Sequence, residues 1–336
     1  MNRFSFYKAE NPREALEQVN ATVSETLQPD TPDSAVVIKA GGIDVLDLMK
    51  EGLSAPSMLV SINEIAGLRD MVFDDKKGLR LGAAVTLSEI AEHETVKERF
   101  FALHQAAAKA ATPQIRNMAT LGGNLAQRTR CWYFRSKEHV CFRKGGDTCF
   151  ARFGENIYHA IMQNDDCASV HSSSLSTALL AFDAVVEITN REGKVKMVPM
   201  EEFFVSPSVD QTTENILGSD ELITAVIVPT PKENVRSHYT KMGERESHDW
   251  PIADVAVVAE MNGSKCKKAR IAMGAAAPVP LLAHTAMEMI KGETIGEELA
   301  GKAAAKAMEE ATPLSQNAYK VQVFETLIRR NLLAML

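Results

Sequence analysis

The chain has 336 residues, of which 45% are hydrophobic and 24% are charged, and its formal net charge is −7. This length allows two or three domains with hydrophobic cores, and the negative charge argues against a nucleic-acid partner, which needs a basic face. No stretch is apolar for long enough to form a membrane span, and the N-terminus lacks the apolar core of a secretory signal. The sequence therefore predicts a cytoplasmic protein whose thiols stay reduced.

The pattern of apolar residues predicts helices and strands along the whole chain. The predicted elements, in chain order, are a helix over 13–27, strands at 35–38, 58–62 and 79–85, helices at 101–110 and 175–181, a strand at 184–188, strands at 255–261 and 269–275, and helices at 283–291, 296–309 and 318–335. A domain boundary is expected near residues 229–231, in the run VPTPKEN. The order of these elements indicates an α+β protein that ends in a domain of antiparallel strands and helices.

The segment KAGGIDVLD, residues 39–47, has the pattern of an anion-binding turn. A strand leads into Gly41 and Gly42, where the missing side chains let a ligand approach the backbone, and a helix follows whose N-terminus favours phosphate. A Gly-Gly pair is also common in simple turns, and Asp44 is equally consistent with a helix cap. The segment is neither a P-loop nor a G-x-G-x-x-G fingerprint, so those nucleotide-binding folds gain no support.

The segment TLGGN, residues 120–124, is predicted to form a second turn of the same type. Thr120 would offer its hydroxyl, Gly122 and Gly123 their amides, and Asn124 its side-chain amide. The alternative for Asn124 is a turn residue that bonds its own backbone. Two such turns together favour one long ligand that has a pyrophosphate and a ring at its far end.

Four segments, KAGGIDVLDLMK, GAAVTLSEIA, TPQIRNMATLGGNLAQ and RIAMGAAAPVP, together resemble the FAD-binding medium subunit of the xanthine dehydrogenase family of molybdenum hydroxylases. The resemblance runs from FSFYKAENPREAL near the N-terminus to ATPLSQNAYKVQVFETLIRRNLL near the C-terminus. It implies a two-part FAD-binding domain of the vanillyl-alcohol-oxidase-like (PCMH) type, with subdomains at 1–54 and 55–228. A C-terminal domain of antiparallel strands and a helix bundle would follow at 229–336.

The resemblance also implies which residues contact FAD. The first glycine loop would bind the pyrophosphate, the second would lie near the ribityl chain and flavin, and Lys241 would stand beside the isoalloxazine. The expected cofactor-binding residues are Lys39, Ala40, Gly41, Gly42, Ile43, Asp44, Val45, Thr86, Gln114, Arg116, Thr120, Gly122, Gly123, Asn124, Ser174, Ile223 and Lys241. Alternatively, Lys241 is an exposed strand residue and Arg116 pairs with a carboxylate at an interface.

Ser174 is a departure from the family pattern. Relatives often carry an aspartate at this place, and it points at the flavin side of FAD. Here the run reads SSSLSTALLAFDA, and a serine stands where that aspartate would be. A neutral hydroxyl removes a negative charge near the flavin, which would change its reduction potential.

Four of the five cysteines lie close together in the sequence. Cys131, Cys141, Cys149 and Cys167 are separated by 10, 8 and 18 positions, which matches neither a zinc ribbon nor a C-x-x-C redox pair. From the residues alone, a [4Fe–4S] cluster, a structural zinc site and four unconnected thiols all remain open. Arg128, Arg130, Arg135, Arg143 and Lys144 would offset the negative charge of a thiolate-bound cluster. Cys266 stands alone in the sequence.

The family resemblance favours the cluster. Ordinary members connect the second loop directly to the next helix, whereas this chain has an insertion at about 128–170. A subset of the family, including 4-hydroxybenzoyl-CoA reductase and the bacterial periplasmic aldehyde oxidoreductase, carries a similar insertion that binds an extra [4Fe–4S] cluster. By resemblance, all four cysteines of the insertion are therefore expected to be metal ligands.

The implied function is that of an FAD- and [4Fe–4S]-containing electron-transfer subunit that has no catalytic acid–base residues of its own. Its partners would be a large molybdenum-cofactor subunit and a small subunit with two [2Fe–2S] clusters, with NAD or ferredoxin as the external redox partner. Two alternatives stay open. One is a stand-alone flavin oxidoreductase of the same fold, and the other is a nucleotide-binding module stabilised by zinc.

Overall fold

The computed structural model describes residues 1–246 and 248–336, and its N-terminal part is a small parallel sheet flanked by helices. The elements of this part are β1 (Ser5–Lys8), α1 (Pro12–Gln18), β2 (Val36–Lys39), α2 (Ile43–Lys50) and β3 (Met58–Ser61). The strands lie in the order β1–β3–β2 and all pair in parallel, because each helix returns the chain to the same edge. Strand β2 ends at the loop that leads into α2. This loop is the one that the sequence predicts as an anion-binding turn.

The predicted helix over residues 13–27 is wrong in its second half. Helix α1 ends at Gln18, and only a short 3-10 turn at Glu25–Leu27 follows. The reason is a contact that is distant in sequence, because Asn20 accepts a hydrogen bond from the amide of Val36 at 2.8 Å. Leaving the helix lets Asn20 bind the edge of β2, and the apolar residues that follow are buried in non-helical backbone.

The middle of the chain forms a five-stranded antiparallel sheet covered by helices. Its strands are β4 (Met71–Asp74), β5 (Gly78–Gly82), β6 (Val185–Asn190), β7 (Val195–Pro199) and β8 (Glu221–Val228), in the order β4–β5–β8–β6–β7. Its helices are α3 (Leu87–Glu92), α4 (Glu94–Arg99), α5 (Phe101–Lys109), α6 (Pro113–Arg116), α7 (Leu121–Leu125), α8 (Ser174–Ala181) and α9 (Met200–Phe203). Helices α5 and α8 contribute buried apolar side chains to a core cluster that also includes residues of this sheet.

Residues 128–170, between α7 and α8, contain only two short 3-10 turns, at Phe142–Lys144 and Phe150–Arg152. Polar contacts with the C-terminal part hold this segment in place. Asn317 donates hydrogen bonds to the carbonyls of His159 and Ala160, and the side chain of Asn164 bonds to Thr312. The insertion is thus fixed by side-chain hydrogen bonds to backbone groups rather than by regular secondary structure.

The C-terminal part is an antiparallel sheet with three helices against one face. It consists of β9 (Val235–Met242), β10 (Ala253–Asn262), β11 (Lys265–Gly274), β12 (Leu281–Leu282), α10 (His284–Ile290), α11 (Glu297–Ala307) and α12 (Tyr319–Leu333). The strand order is β12–β11–β10–β9, and a separate apolar core joins this sheet to its helices. The predicted α+β fold and its final sheet-and-helix domain are confirmed. Within the two described ranges, no helix is long and apolar enough to cross a membrane.

Asp254 is an unusual buried charge in this part of the chain. It lies on β10, is 1% exposed, and accepts a hydrogen bond from the hydroxyl of Tyr239 at 3.1 Å. Burial raises the pKa of Asp254 to about 6. Since the ordinary value is 3.8, the folded state binds this proton more tightly than the unfolded state does. The stability that Asp254 contributes is therefore fully present below pH 3.8, the unfolded value, and is lost as the pH rises through the folded value of about 6.

Asp254→Asn is expected to make the protein more heat-stable at neutral pH. The shift of the Asp254 pKa from 3.8 to about 6 corresponds to about 3 kcal/mol. The free energy of unfolding is lower by this amount once the pH is above the folded pKa and the buried carboxylate is ionised. The difference in apparent Tm between variant and wild type should grow as the pH rises from 3.8 to about 6 and level off above that value. Glu187→Gln is the control, because the pKa of Glu187 is shifted in the opposite direction and the substitution should lower the apparent Tm at neutral pH. Although burial raises the pKa of Glu187, hydrogen bonds from Thr224 and Arg80 lower it overall. A pH-independent difference for Asp254→Asn would contradict this account.

Candidate functional site

A large cleft begins at the loop between β2 and α2. Gly42 has a φ of 82°, a left-handed conformation that side chains disfavour, and it is the residue before the first turn of α2. Gly41 is required for a different reason, because a Cβ there would lie 1.9 Å from the carbonyl oxygen of Met118. The loop is therefore pressed against the segment before α7, and this contact brings the two glycine segments of the sequence to the same cleft.

Gly41→Ala is expected to abolish or severely weaken binding of the FAD that the family resemblance implies. The added methyl group cannot fit beside Met118, so the loop must move away from the second segment. FAD retention after gel filtration, measured by absorbance, checks this. Gly193→Ala is the control for the loss of a glycine, since nothing lies within 4 Å of a Cβ there. Gly193 has positive φ, so a small loss of stability is expected in the control, but no loss of FAD. Full FAD content in Gly41→Ala would contradict the prediction.

The second segment is a helical turn rather than a second glycine turn, so that prediction is wrong. Thr120 caps α7 by accepting a hydrogen bond from the amide of Gly123 at 3.2 Å. The amide of Gly122 donates to the carbonyl of Ala83 at 2.8 Å. Both glycine amides are thus used within the fold. The glycines instead keep the wall of the cleft free of side chains, which lets a ligand lie close to the backbone.

Asn124 and Ser174 stand on the same side of the cleft. Ser173 donates a hydrogen bond to the side-chain carbonyl of Asn124 at 2.6 Å. This contact uses the carbonyl oxygen of the amide, and among the described residues its nitrogen has no hydrogen bond, so it remains available as a donor. Ser174 begins α8 in the next position, and it is 5% exposed. Asn124 and Ser174 both line the cleft.

Lys241 lies across the cleft, on β9. Its ammonium donates to the carbonyl of Lys109 at 2.6 Å and to the carbonyl of Asp249 at 2.8 Å. Burial lowers the pKa of Lys241. The lysine thus ties the end of α5 to the segment after β9, and it places a half-buried cation at the wall of the cleft. It is not a freely exposed strand residue.

Most of the predicted cofactor residues line this one cleft, which encloses about 1560 Å³ of space including its solvent-filled mouth. They are Ala40, Gly41, Gly42, Ile43, Asp44, Val45, Thr120, Gly122, Gly123, Asn124, Ser174, Ile223 and Lys241. Residues that are distant in sequence and were expected to bind one ligand therefore meet in one place. Its lining reaches from the loop between β2 and α2 to Lys241 on β9, as the binding of an extended ligand requires.

Four predicted residues lie outside the lining. The hydroxyl of Thr86 donates to Glu89 at 2.7 Å and caps α3. Arg116 folds back and donates to the carbonyls of Ala110 and Ala111. The ammonium of Lys39 lies 5.8 Å from the ring of Phe6, and Gln114 is exposed on α6. Thr86 and Arg116 shape the backbone around the cleft instead of facing it.

Several residues that line the cleft could not be identified as cofactor contacts from the sequence. The loop Thr22–Ser24 closes one side, and Arg130 stacks on Trp250 with its guanidinium carbon 4.7 Å from the ring centroid. Arg130 also pairs with Asp44 at 2.8 Å. Asp44 therefore anchors arginines of the insertion in addition to starting α2. An arginine and a tryptophan far apart in sequence become neighbours only through the tertiary fold.

The four clustered cysteines line a second, smaller cavity next to the cleft. Cys131, Cys141, Cys149 and Cys167 face a space of about 300 Å³, including its opening, whereas Cys266 lies apart in β11. Hydrophobic side chains, among them Phe134, form the rest of its wall. In the part of the chain that the structure describes, no group of three or more histidine, cysteine or acidic side chains has the spacing of a preformed metal site.

The surroundings of the sulfurs favour thiolates at some positions and thiols at others. The pKa of Cys167 is lowered by a hydrogen bond from the Cys149 thiol, with a further contribution from the guanidinium of Arg143. Arg143 Nε donates to Cys167 Sγ at 3.3 Å. Burial raises the pKa of Cys131 to about 12. Backbone amides nevertheless point at the sulfurs of Cys131, Cys141, Cys149 and Cys167.

A buried chain of charges connects the cavity to the cleft. Glu214 is 2% exposed and lies between two arginines, 2.7 Å from Arg128 and 3.2 Å from Arg143. The amide of Arg128 donates to Asp44 at 2.8 Å, and Arg128 lines the cleft. The same ion-pair network thus reaches from the first turn of α2 to the sulfur of Cys167. It fixes the distance between the two cavities.

Comparisons with known proteins agree with this geometry. Residues 2–231 match the family described as "FAD binding domain in molybdopterin dehydrogenase", and residues 237–335 match the "CO dehydrogenase flavoprotein C-terminal domain". The aldehyde oxidoreductase FAD-binding subunit PaoB of Escherichia coli (strain K12) is 34% identical over 79% of this chain and 81% of its own length. The xanthine dehydrogenase FAD-binding subunit of Escherichia coli O157:H7 is 23% identical over 92% of each chain.

A solved structure shares the fold along the whole length. Carbon monoxide dehydrogenase from Hydrogenophaga pseudoflava superposes with a TM-score of 0.73 at 23% identity, covering 99% of this chain and 97% of that one. The family matches cover both the part that carries the cleft and the C-terminal sheet and helices. This chain therefore belongs to the family of FAD-binding medium subunits of the xanthine dehydrogenase and carbon monoxide dehydrogenase type, and it is an oxidoreductase subunit.

Proposed function

We propose that this chain is the FAD- and [4Fe–4S]-containing electron-transfer subunit of a molybdenum-dependent hydroxylase, dehydrogenase or reductase complex. The observation that carries the proposal is that two cavities lie next to each other. The first is the cleft lined by both glycine segments, and the second is lined by the four cysteines. The network of Arg128, Glu214 and Arg143 reaches from one cavity to the other. Neighbouring redox sites at a fixed distance are what electron transfer requires.

FAD would occupy the cleft, with the cleft-lining residues named above as its contacts. Gly41 and Gly42 leave room for the pyrophosphate, and α2 begins directly behind them. Asn124 supplies an available donor, and Lys241 supplies a half-buried cation at the end where the resemblance places the ring. Bound FAD exchanges one or two electrons, and the chain's own residues hold it and set its surroundings.

The four cysteines fit a [4Fe–4S] cluster by their donor chemistry. Four sulfur ligands that face one cavity are the ligand set of such a cluster, and backbone amides and Arg143 already point at the sulfurs. The buried cation offsets the negative charge that thiolate ligands bring into an apolar wall. A zinc site would use the same four ligands, so metal analysis is needed to separate the two.

The remaining cofactors would come from partner subunits. The names of relatives describe subunits or medium chains of larger enzymes, for example the carbon monoxide dehydrogenase medium chain of Afipia carboxidovorans. We assign this chain a large partner with the molybdenum cofactor and a small partner with two [2Fe–2S] clusters. NAD or ferredoxin would be the external carrier. Ser174 stands where relatives often carry an aspartate, and this neutral hydroxyl would change the reduction potential of the flavin.

Purification from the native cells through a tag on this chain tests the subunit function. The proposal expects molybdenum to copurify with FAD, together with more iron than one [4Fe–4S] cluster accounts for. The complex should reduce or oxidise an external carrier, and the isolated chain should lack substrate turnover. An isolated chain that oxidises a small molecule on its own flavin would instead establish the stand-alone oxidoreductase. Recovery without flavin, but with zinc, would establish the nucleotide-binding module.

A further inference from the structure

A buried histidine of the insertion lies against one of the four clustered sulfurs. The Nε2 of His159 is 3.2 Å from the Sγ of Cys131, and His159 is 3% exposed. Cys131 lines the cysteine cavity, whereas His159 is not among the residues that line it. The imidazole therefore contacts the sulfur from outside the cavity, as a neighbour of a proposed ligand and not as a further ligand.

The direction of this hydrogen bond follows from the chemistry of the two atoms. A thiolate that binds iron carries no proton and can only accept, so the Nε2 of His159 must be the donor. A ring with its only proton on Nδ1 would instead set a nitrogen lone pair against the sulfur. Nδ1 is buried and has no hydrogen-bond partner in the part of the chain that the structure describes, so no such contact competes for the ring.

Two side chains of the C-terminal part fix the backbone of His159. The ammonium of Lys320, a fully buried residue, donates to the carbonyl of His159 at 2.9 Å and to that of Ala275 at 2.8 Å. The side-chain amide of Asn317 donates to the same carbonyl of His159 at 3.1 Å. The loop before α12 and the first turn of that helix thus hold the main chain of His159 in one place.

The ring of His159 is held as well. The indole of Trp132, the residue after Cys131, meets the imidazole edge to face, with 4.8 Å between the ring centroids and an angle of 78° between the planes. Aromatic pairs favour this arrangement. The amide of His159 donates to the carbonyl of Asn156 at 3.0 Å. Backbone and ring are therefore both positioned, so the contact with the sulfur does not depend on a freely rotating side chain.

We propose that His159 is a positioning residue whose hydrogen bond to Cys131 raises the reduction potential of the [4Fe–4S] cluster. This inference rests on the proposed function, because it requires the cluster to be present. Reduction adds one electron, supplied by the reduced flavin or by an iron–sulfur cluster of a partner subunit, and no bond is formed or broken. An N–H donor at a ligand sulfur stabilises the added negative charge, so it favours the reduced form over the oxidised form. Lys320 and Asn317 contribute by keeping the donor within reach of the sulfur.

The test measures the midpoint potential of the cluster in the full chain, by EPR during a redox titration. His159→Leu removes the donor, whereas His159→Gln keeps an N–H donor at a similar reach from the backbone. At a fixed potential, His159→Leu should lower the ratio of reduced to oxidised cluster by about tenfold, which is about 59 mV for a one-electron couple. His159→Gln should recover most of the wild-type ratio.

His139→Leu is the matched control. It is the same substitution within the same insertion, but the Nδ1 of His139 bonds to Ser136 at 3.1 Å, and its ring packs against that of Phe150 at 4.9 Å between centroids. This variant should keep the wild-type potential. An unchanged potential in His159→Leu would overturn the inference, as would an equal shift in His139→Leu.

The iron content of each protein is measured before its potential. Loss of iron from both His159→Leu and His159→Gln would also overturn the inference, because His159 would then be needed to hold the cluster and not to set its potential. A wild-type chain without iron would refute the cluster of the proposed function itself. The iron content of the wild type thus separates a failure of the proposed function from a failure of this inference.

Discussion

With the proposed [4Fe–4S] cluster, Cys167→Ser is expected to abolish iron binding while FAD stays bound. A [4Fe–4S] cluster needs four thiolates, and Cys167 is the sulfur that Arg143 contacts directly at 3.3 Å. Iron should fall from about four per chain to a small fraction of that value, together with loss of the reduced-cluster EPR signal. FAD should remain, because none of the four cysteines lines the FAD cleft.

Cys266→Ser is the control for this substitution. Cys266 is also buried, at 1% exposure, but it lies on β11 away from the cysteine cavity. It should keep the full iron content of the wild-type protein. Iron loss in both variants would point to general destabilisation, and unchanged iron in Cys167→Ser would contradict the assignment of this ligand.

Glu214→Gln is expected to be the most destabilising single substitution in the insertion's surroundings. The neutral amide keeps the shape of the side chain but leaves the charges of Arg128 and Arg143 buried without compensation. Breaking a buried ion pair in this way costs about 3–5 kcal/mol. The apparent Tm should fall clearly, and the iron content should fall with it because Arg143 loses its anchor.

Glu201→Gln is the matched control for that experiment. Glu201 also lies near Arg270, at 3.7 Å, and near the imidazole of His284, at 3.6 Å, but its side chain is 52% exposed. Exposed pairs contribute little to stability, so the apparent Tm should hardly change. Equal Tm values for Glu214→Gln and the wild type would show that the ion pairs of Glu214 with Arg128 and Arg143 do not stabilise the fold.

Local patterns allowed the first glycine loop and the C-terminal part to be predicted. The strand, Gly41–Gly42 turn and helix follow one another within a dozen residues, so neighbouring residues determine the conformation. The same holds for the alternating strands β10 and β11. In these segments the structure follows the sequence pattern closely.

Contacts between distant residues account for what could not be predicted. Helix α1 ends early because Asn20 bonds to β2, and the amide of Gly122 is used by Ala83 on a neighbouring segment. Arg116 turns back to its own preceding loop instead of facing the cleft. Nothing in the local sequence around Asn20 or Gly122 signals these partners. Each depends on the arrangement of the sheets.

The insertion shows the same limit most clearly. Its cysteines have no periodic spacing, and residues 128–170 form no long helix or strand from which a common cavity could be deduced. The family resemblance, rather than the spacing, predicted that the four cysteines act together. That they line one cavity follows from ion pairs and hydrogen bonds that Glu214 and Asn317 make with the insertion.

The most direct test of the electron-transfer proposal is the iron, zinc and FAD content of the anaerobically purified chain, with an EPR spectrum after reduction. The account predicts about one FAD and about four irons per chain, with the signal of a reduced [4Fe–4S] cluster. FAD without iron would leave an FAD-binding subunit and refute the cluster. Zinc in place of both iron and FAD would contradict the electron-transfer function altogether.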